Sequence, residues 1–136
     1  MYPEYLVAPM RQELVNAGFQ DLRTPEDVDQ AIQSEGTVLV MVNSVCGCAA
    51  ANARPAAKIS TSFEKHPDKF VTVFAGMEKD AVDKARAHML PFPPSSPSIA
   101  LFKDGKLVHM IERHQIEGRP AQMIADNLNQ AFDQYC

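Results

Sequence analysis

The sequence predicts an α/β domain with a central mixed sheet flanked by helices, and three observations carry that prediction. Thr37–Val42, TVLVMV, is an unbroken apolar run of mostly β-branched residues, the pattern of a strand covered on both faces. Strand-like and helix-like segments alternate from there to Met89. Asp104-Gly105 then separates two strand-like runs, Ser98–Lys103 and Lys106–Ile111, the signal of a two-residue hairpin. With 136 residues, 46% hydrophobic and 22% charged, the chain fits one domain with a core of ordinary size.

The elements follow in order. Leu6, Met10 and Leu14 recur at helical spacing, with Pro9 tolerable near a first turn, so a helix is expected to end at Gly18 and to serve as a packing appendage. Thr24-Pro25-Glu26-Asp27 reads as N-cap, Pro at the first helical position and an acidic first turn. It opens a helix with Val28, Ala31 and Ile32 on one face that ends near Gly36. The central strand comes next. After it, Ala49, Ala50, Ala51 and Ala53 start a helix that Pro55 kinks and that runs to about His66. Phe70–Ala75 is a second strand, and Glu78–Met89 a helix with Ala81, Val82, Ala85 and Met89 on its apolar side. Leu90–Pro97, LPFPPSSP, holds four prolines and must be a shaped loop. After the hairpin, Gly118-Arg119-Pro120 leads into a last helix with Met123, Ile124, Leu128 and Phe132 inward.

Composition excludes several classes of function. Net charge is −4, and Lys and Arg are scattered rather than striped, so neither nucleic acid nor an anionic membrane surface is an expected partner. The apolar runs are too short to span a bilayer, and the first residues lack the pattern of a secretory leader. A cytoplasmic protein is expected. In a reducing compartment three cysteines do not build a disulfide framework, and a close pair points to catalysis or metal binding.

The pair is Cys46-Gly47-Cys48. Cys46 falls at or just before a helix start, where unpaired N–H groups favour an anion. A thiol there can be acidified enough to act as a nucleophile near neutral pH. A disulfide across one intervening residue would close a ring of roughly 11 atoms, with little freedom to relax. Gly47 is expected to relieve part of that strain by taking backbone angles closed to other residues. Such a pair favours its dithiol form and suits accepting a thiol adduct or reshuffling disulfides. The rival chemistry is a metal or cluster carrier using Cys46, Cys48 and Cys136, although no fourth ligand is apparent and no His or Cys sits at finger spacing.

The order β-α-β-α-β-β-α, with the cysteine pair after the central strand and Pro97 just before the hairpin, resembles the thioredoxin fold over residues 37–135. Residues 1–36 then form an N-terminal helical extension of one thioredoxin-like domain. Ser96-Pro97-Ser98-Ile99-Ala100-Leu101-Phe102 matches that fold's cis-proline segment. More narrowly, Ser44-Val45-Cys46-Gly47-Cys48-Ala49, Ala53-Arg54-Pro55-Ala56, Pro93-Pro94-Ser95-Ser96-Pro97-Ser98 and Ile116-Glu117-Gly118-Arg119 resemble the bacilliredoxin family over almost the whole chain. The resemblance implies a thiol-disulfide oxidoreductase that takes bacillithiol off S-bacillithiolated proteins, with Cys46 attacking and Cys48 its neighbour. It implies no bound cofactor, bacillithiol as thiol co-substrate and S-thiolated proteins as clients; disulfide isomerase activity is the alternative. The chain departs from thioredoxin in having no carboxylate on Thr37–Val42 and no Trp before the cysteines.

Other residues carry weaker readings. A cis Pro97 facing Cys46 would set the Ser96 backbone beside the cysteines, ready to bond an extended substrate chain. Gly47, Ser96, Pro97 and Arg54 are therefore the candidate substrate-binding residues. Arg54 can pair with a carboxylate of a thiol co-substrate or stay solvated. Cys136 is an exposed thiol or, if the last helix ends near the site, an auxiliary one. His109 and His114 are expected on the surface.

Overall fold

The computed structural model describes Met1–Cys136. Five strands form one mixed sheet in the order β1 (Gln20–Asp21), β3 (Lys69–Phe74), β2 (Thr37–Asn43), β4 (Ser98–Lys103), β5 (Lys106–Ile111). β1, β3 and β2 run parallel, and β4 and β5 are antiparallel to their neighbours. All residues of β2 are buried, as its apolar run requires of a middle strand. Its side chains alternate between two layers. Val38, Val40 and Val42 pack with α2 (Pro25–Ile32) and α4 (Lys79–His88), while Leu39 and Met41 pack with α3 (Arg54–Ser60) and α5 (Ala121–Tyr135).

The hairpin forms as expected: Asp104 and Gly105 both take positive φ, 51° and 82°, the angles of a type I′ turn. A bulge opposite Leu101 and Phe102 departs from the simple alternation. It leaves Val108 against the α5 layer, and His109 on the same side with its Nε2 2.6 Å from Asn127 Oδ1.

The N-terminal part is not purely helical. Gln20–Asp21 is a strand, paired with Val71 and Thr72 of β3, too short to leave a periodic signal. α1 (Glu4–Asn16) stops where Gly18 takes a φ of 110°. There Gly18 N–H donates to Val15 and Phe19 N–H to Leu14, a Schellman ending. Pro9 lies well inside this helix, and the carbonyl it leaves without a donor belongs to Tyr5, a residue 82% exposed, where water can satisfy it.

α1 is more than an appendage, because Arg11 is buried and fixes it. The guanidinium donates to Glu4 (3.1 Å), Asp21 of β1 (3.3 Å) and Glu78 at the start of α4 (2.9 Å), and lies over the Phe74 ring. A buried cation must be compensated, so one side chain joins three elements.

Two further boundaries and one inward-facing residue differ from expectation. α2 ends at Ile32, and Gly36, with a φ of 97°, makes the turn into β2. The helix after the cysteines ends at Ser60 rather than His66. Met123 is 53% exposed, with Ile124, Ala125, Leu128, Ala131 and Phe132 forming the inner face of α5. No helix is long and apolar enough to cross a membrane.

Arg11→Ala would leave Glu78 without its cation and Asp21 with only the half-exposed Arg23. We expect it to cost roughly 2–3 kcal/mol, toward or below the lower end of buried-pair deletions because the carboxylates are partly solvated. Urea unfolding followed by circular dichroism checks it.

Candidate active site

The sheet brings three separate chain segments to one end. Val42 pairs with Ser98, and Ile99 with Ile111. The exit of β2, the entry of β4 and the exit of β5 therefore lie side by side. Beyond them stand Cys46, the Ser96–Pro97 peptide and Arg113, respectively. The Ser96–Pro97 bond is cis, as expected, and Leu90–Pro91 is also cis, which the sequence did not announce.

Cys46 sits at the helix start the sequence indicates. Its carbonyl accepts from the N–H groups of Ala49 (3.1 Å) and Ala50 (3.2 Å), so it is the capping residue. Its own N–H donates to Ser44 Oγ at 3.1 Å. Burial alone pushes the Cys46 thiol up, but hydrogen bonds from the Cys48 thiol, the Ser44 hydroxyl and the N–H groups of Ala49 and Cys48 outweigh it, and the net shift is downward. Cys48 moves the other way, raised by burial, by its bond to Cys46 and by the charge on that sulfur. The two sulfurs are 2.6 Å apart as free thiols. The pair is thus one half-buried thiol shifted toward its anion beside one shifted away from it.

The helix that follows is not simply kinked. It widens into a π turn over Ala49–Ala53, closed by the Arg54 N–H donating to the Ala49 carbonyl, before continuing as α3. Pro55 has no N–H to offer, and the extra residue sets the helix phase so that Arg54 turns inward. Arg54 is 3% exposed, which corrects its assignment as a substrate-binding or solvated side chain. Its guanidinium donates to Glu13 of α1 (3.0 Å), Asn43 Oδ1 (3.0 Å) and the Ser44 carbonyl (2.8 Å). Through Nε and Nη1 the cation holds the loop that carries Cys46.

Gly47 also differs from expectation. Its φ is not positive, and a Cβ added there would meet nothing within 4 Å. Its role in this thiol form is to leave an open approach, since it is exposed above the two sulfurs' loop. Cys136 is at the wrong end. Its thiol meets Thr37, at the entry of β2, with Asp68, Lys65 and Lys103 nearby, and burial raises it. β2 has seven residues, so about 20 Å of strand separates that position from the Cys46 loop. Cys136 can neither resolve a Cys46 adduct within the chain nor join Cys46 and Cys48 on one metal ion, and no cluster of three metal-ligating side chains exists.

One residue escaped the sequence reading. Arg113 opens a 3₁₀ turn, Arg113–Gln115, just beyond β5. Its Nη1 donates to the Ser96 carbonyl at 3.1 Å, and its Nε to Glu117. Its charge lowers the Cys48 thiol against burial, while Glu117 raises it. Asn52 donates to the Arg119 carbonyl, docking the segment that follows this turn on the cysteine helix. His114, three residues past the strand end, is exposed as expected.

Because the Cys46 thiol is lowered and those of Cys48 and Cys136 are raised, Cys46 should hold its reactivity to the lowest pH. Its alkylation by iodoacetamide should plateau below the ordinary thiol range and fall about tenfold per pH unit only once its own pKa is passed. Peptide-resolved mass spectrometry against pH reads the order directly. Arg54→Ala should cost about 3 kcal/mol and move the Cys46 profile to higher pH, because Ser44 loses its tether.

Comparison with known proteins agrees with this geometry. A family model described as disulphide isomerase matches residues 2–136. A bacilliredoxin of Cytophaga hutchinsonii is 57% identical over 134 residues, covering 98% of this chain and 99% of the relative. A bacilliredoxin of Geobacillus kaustophilus is 52% identical over 137 residues, covering 99% and 94%. Among solved structures, an oxidoreductase with a thioredoxin fold superposes with a TM-score of 0.67 at 18% identity, over 86% of this chain and 95% of that one. Thioredoxin from Trypanosoma brucei brucei gives 0.61 at 19% identity, over 86% and 93%; both show the shared fold. On relatives that match from end to end, with the cysteine pair at a capped helix start in a thioredoxin fold, the chain belongs to the bacilliredoxin family of thiol-disulfide oxidoreductases.

Proposed function

We propose that the protein removes bacillithiol from S-bacillithiolated proteins in a reducing compartment, the cytoplasm, using Cys46 as nucleophile. The observation that carries this is the asymmetry of the pair: an acidic Cys46 with open space over Gly47, next to a Cys48 whose thiol is raised. In the first step the Cys46 thiolate attacks the bacillithiol sulfur of the mixed disulfide. The bond between that sulfur and the client cysteine breaks, a Cys46–bacillithiol disulfide forms, and the client leaves as a thiolate that takes a proton from solvent. No oxidant is consumed, since one disulfide replaces another.

The second step is the slower one on this reading. Cys48 must lose a proton to attack the adduct, β2 offers no carboxylate to receive it, and Cys136 lies beyond reach. A second molecule of low-molecular-weight thiol is therefore the resolving partner.

A Cys48→Ala variant should still clear bacillithiol from a client for one turnover, whereas Cys46→Ala should not. After mixing with a bacillithiolated client, intact-protein mass spectrometry should find the bacillithiol adduct on Cys46 of the Cys48→Ala protein. If the client itself remains bound to Cys46 and no small-thiol adduct forms, the isomerase reading replaces this one.

A further inference from the structure

Arg113 lies at the rim of the cysteine site. It stands beyond the exit of β5, on the same sheet end as Cys46 and the cis peptide, and the segment after its turn is docked on the cysteine helix through Asn52 and Arg119. Two of its donors are used, Nη1 on the Ser96 carbonyl and Nε on Glu117. Its side chain is 45% exposed and that of Glu117 53%, so both face the solvent from which a substrate arrives. Glu117 lies four residues on, just past that turn, and is a monodentate partner. An exposed pair of this kind is worth about 1 kcal/mol or less, so a carboxylate presenting both oxygens can displace it and gain the fork geometry of a guanidinium.

We propose that Arg113 selects the small-thiol half of the mixed disulfide by binding a carboxylate of that thiol, with Glu117 holding the site until the ligand displaces it. The Ser96 carbonyl fixes the guanidinium from behind. That same bond occupies an acceptor which an extended peptide would otherwise use at the cis peptide, so Arg113 favours a compact anionic thiol over a polypeptide disulfide. This rests on the reading of Cys46 as acceptor of a small thiol, and it names the chemical class: low-molecular-weight thiols bearing carboxylate.

Two measurements test it. The first compares alkylation of Cys46 by iodoacetate and iodoacetamide, taking the ratio of rates so that any change in thiolate fraction cancels. The second compares release of one client peptide from mixed disulfides with mercaptosuccinate and with 2-mercaptoethanol. In both, Arg113→Gln should lower the ratio of anionic to neutral reagent about three- to tenfold, with Arg113→Lys falling between. Glu117→Gln should raise it about two- to fivefold, and that gain should vanish in the Arg113→Gln background, since Glu117 acts by occupying Arg113. An unchanged ratio in Arg113→Gln, a fall in both single variants, or a Glu117→Gln gain that persists without Arg113 would overturn the proposal. These ratios do not require bacillithiol. If they behave as stated while no bacillithiol adduct reaches Cys46, the carboxylate site stands and the identity of the thiol fails.

Discussion

The buried guanidinium of Arg54 is the constraint on which the site depends. A cation with 3% exposure is tolerable only when its donors are matched, and Arg54 finds its partners on three pieces of chain: Glu13 of α1, Asn43 at the end of β2 and the Ser44 carbonyl. Asn43 in turn accepts from the Ser44 N–H and donates to the Met10 carbonyl. Ser44, held from two sides, presents its hydroxyl to Cys46. The path from α1 to the nucleophile is thus a chain of satisfied polar groups, each limiting the next. Low local dielectric makes any break in such a network expensive.

Arg54 can do this because of the π turn before it. One added residue in the helix rotates everything after it by about 100°, and Arg-Pro at the junction supplies both the cation to be buried and the missing donor that the widened turn accommodates. Arg11 performs a similar task two residues before Glu13 on α1, pinning it to β1 and α4. Two buried arginines therefore turn an amphipathic N-terminal helix into part of the frame behind the active site.

The chemistry follows from asymmetry between neighbours. Cys46 caps a helix and its thiol is lowered by the donors around it, while Cys48, two residues on, is raised by burial and by the charge beside it. Thioredoxin-like proteins resemble this chain in fold, but here the strand behind the cysteines is wholly without carboxylate. The ionisable groups about the pair come instead from the turn after β5, where Arg113 and Glu117 sit at the mouth of the site. Charge at the rim, rather than a buried base, is what an approaching thiol meets.

The sequence by itself determined the strand order's raw material and the position of the helix-capping thiol. TVLVMV declared a middle strand because only a fully covered strand can bury every side chain; Asp104-Gly105 declared the hairpin because few residues accept positive φ twice in succession. Cys46 before an alanine run declared a capped thiol, and the motif around Pro97 matched a cis peptide. These signals are local, confined to a few adjacent residues. What depended on distant partners was illegible. Arg54 reads as a surface arginine until β2 and α1 close over it, and Arg113 reads as one more charge in IERHQIEGR until the sheet register sets β5 beside β4. Cys136 could be tied to the site or far from it, and only the length of β2, with α5 ending at its entry, decided for the far end. The burial of a polar side chain is a property of the groups that surround it, and those are brought together by topology rather than by neighbouring sequence.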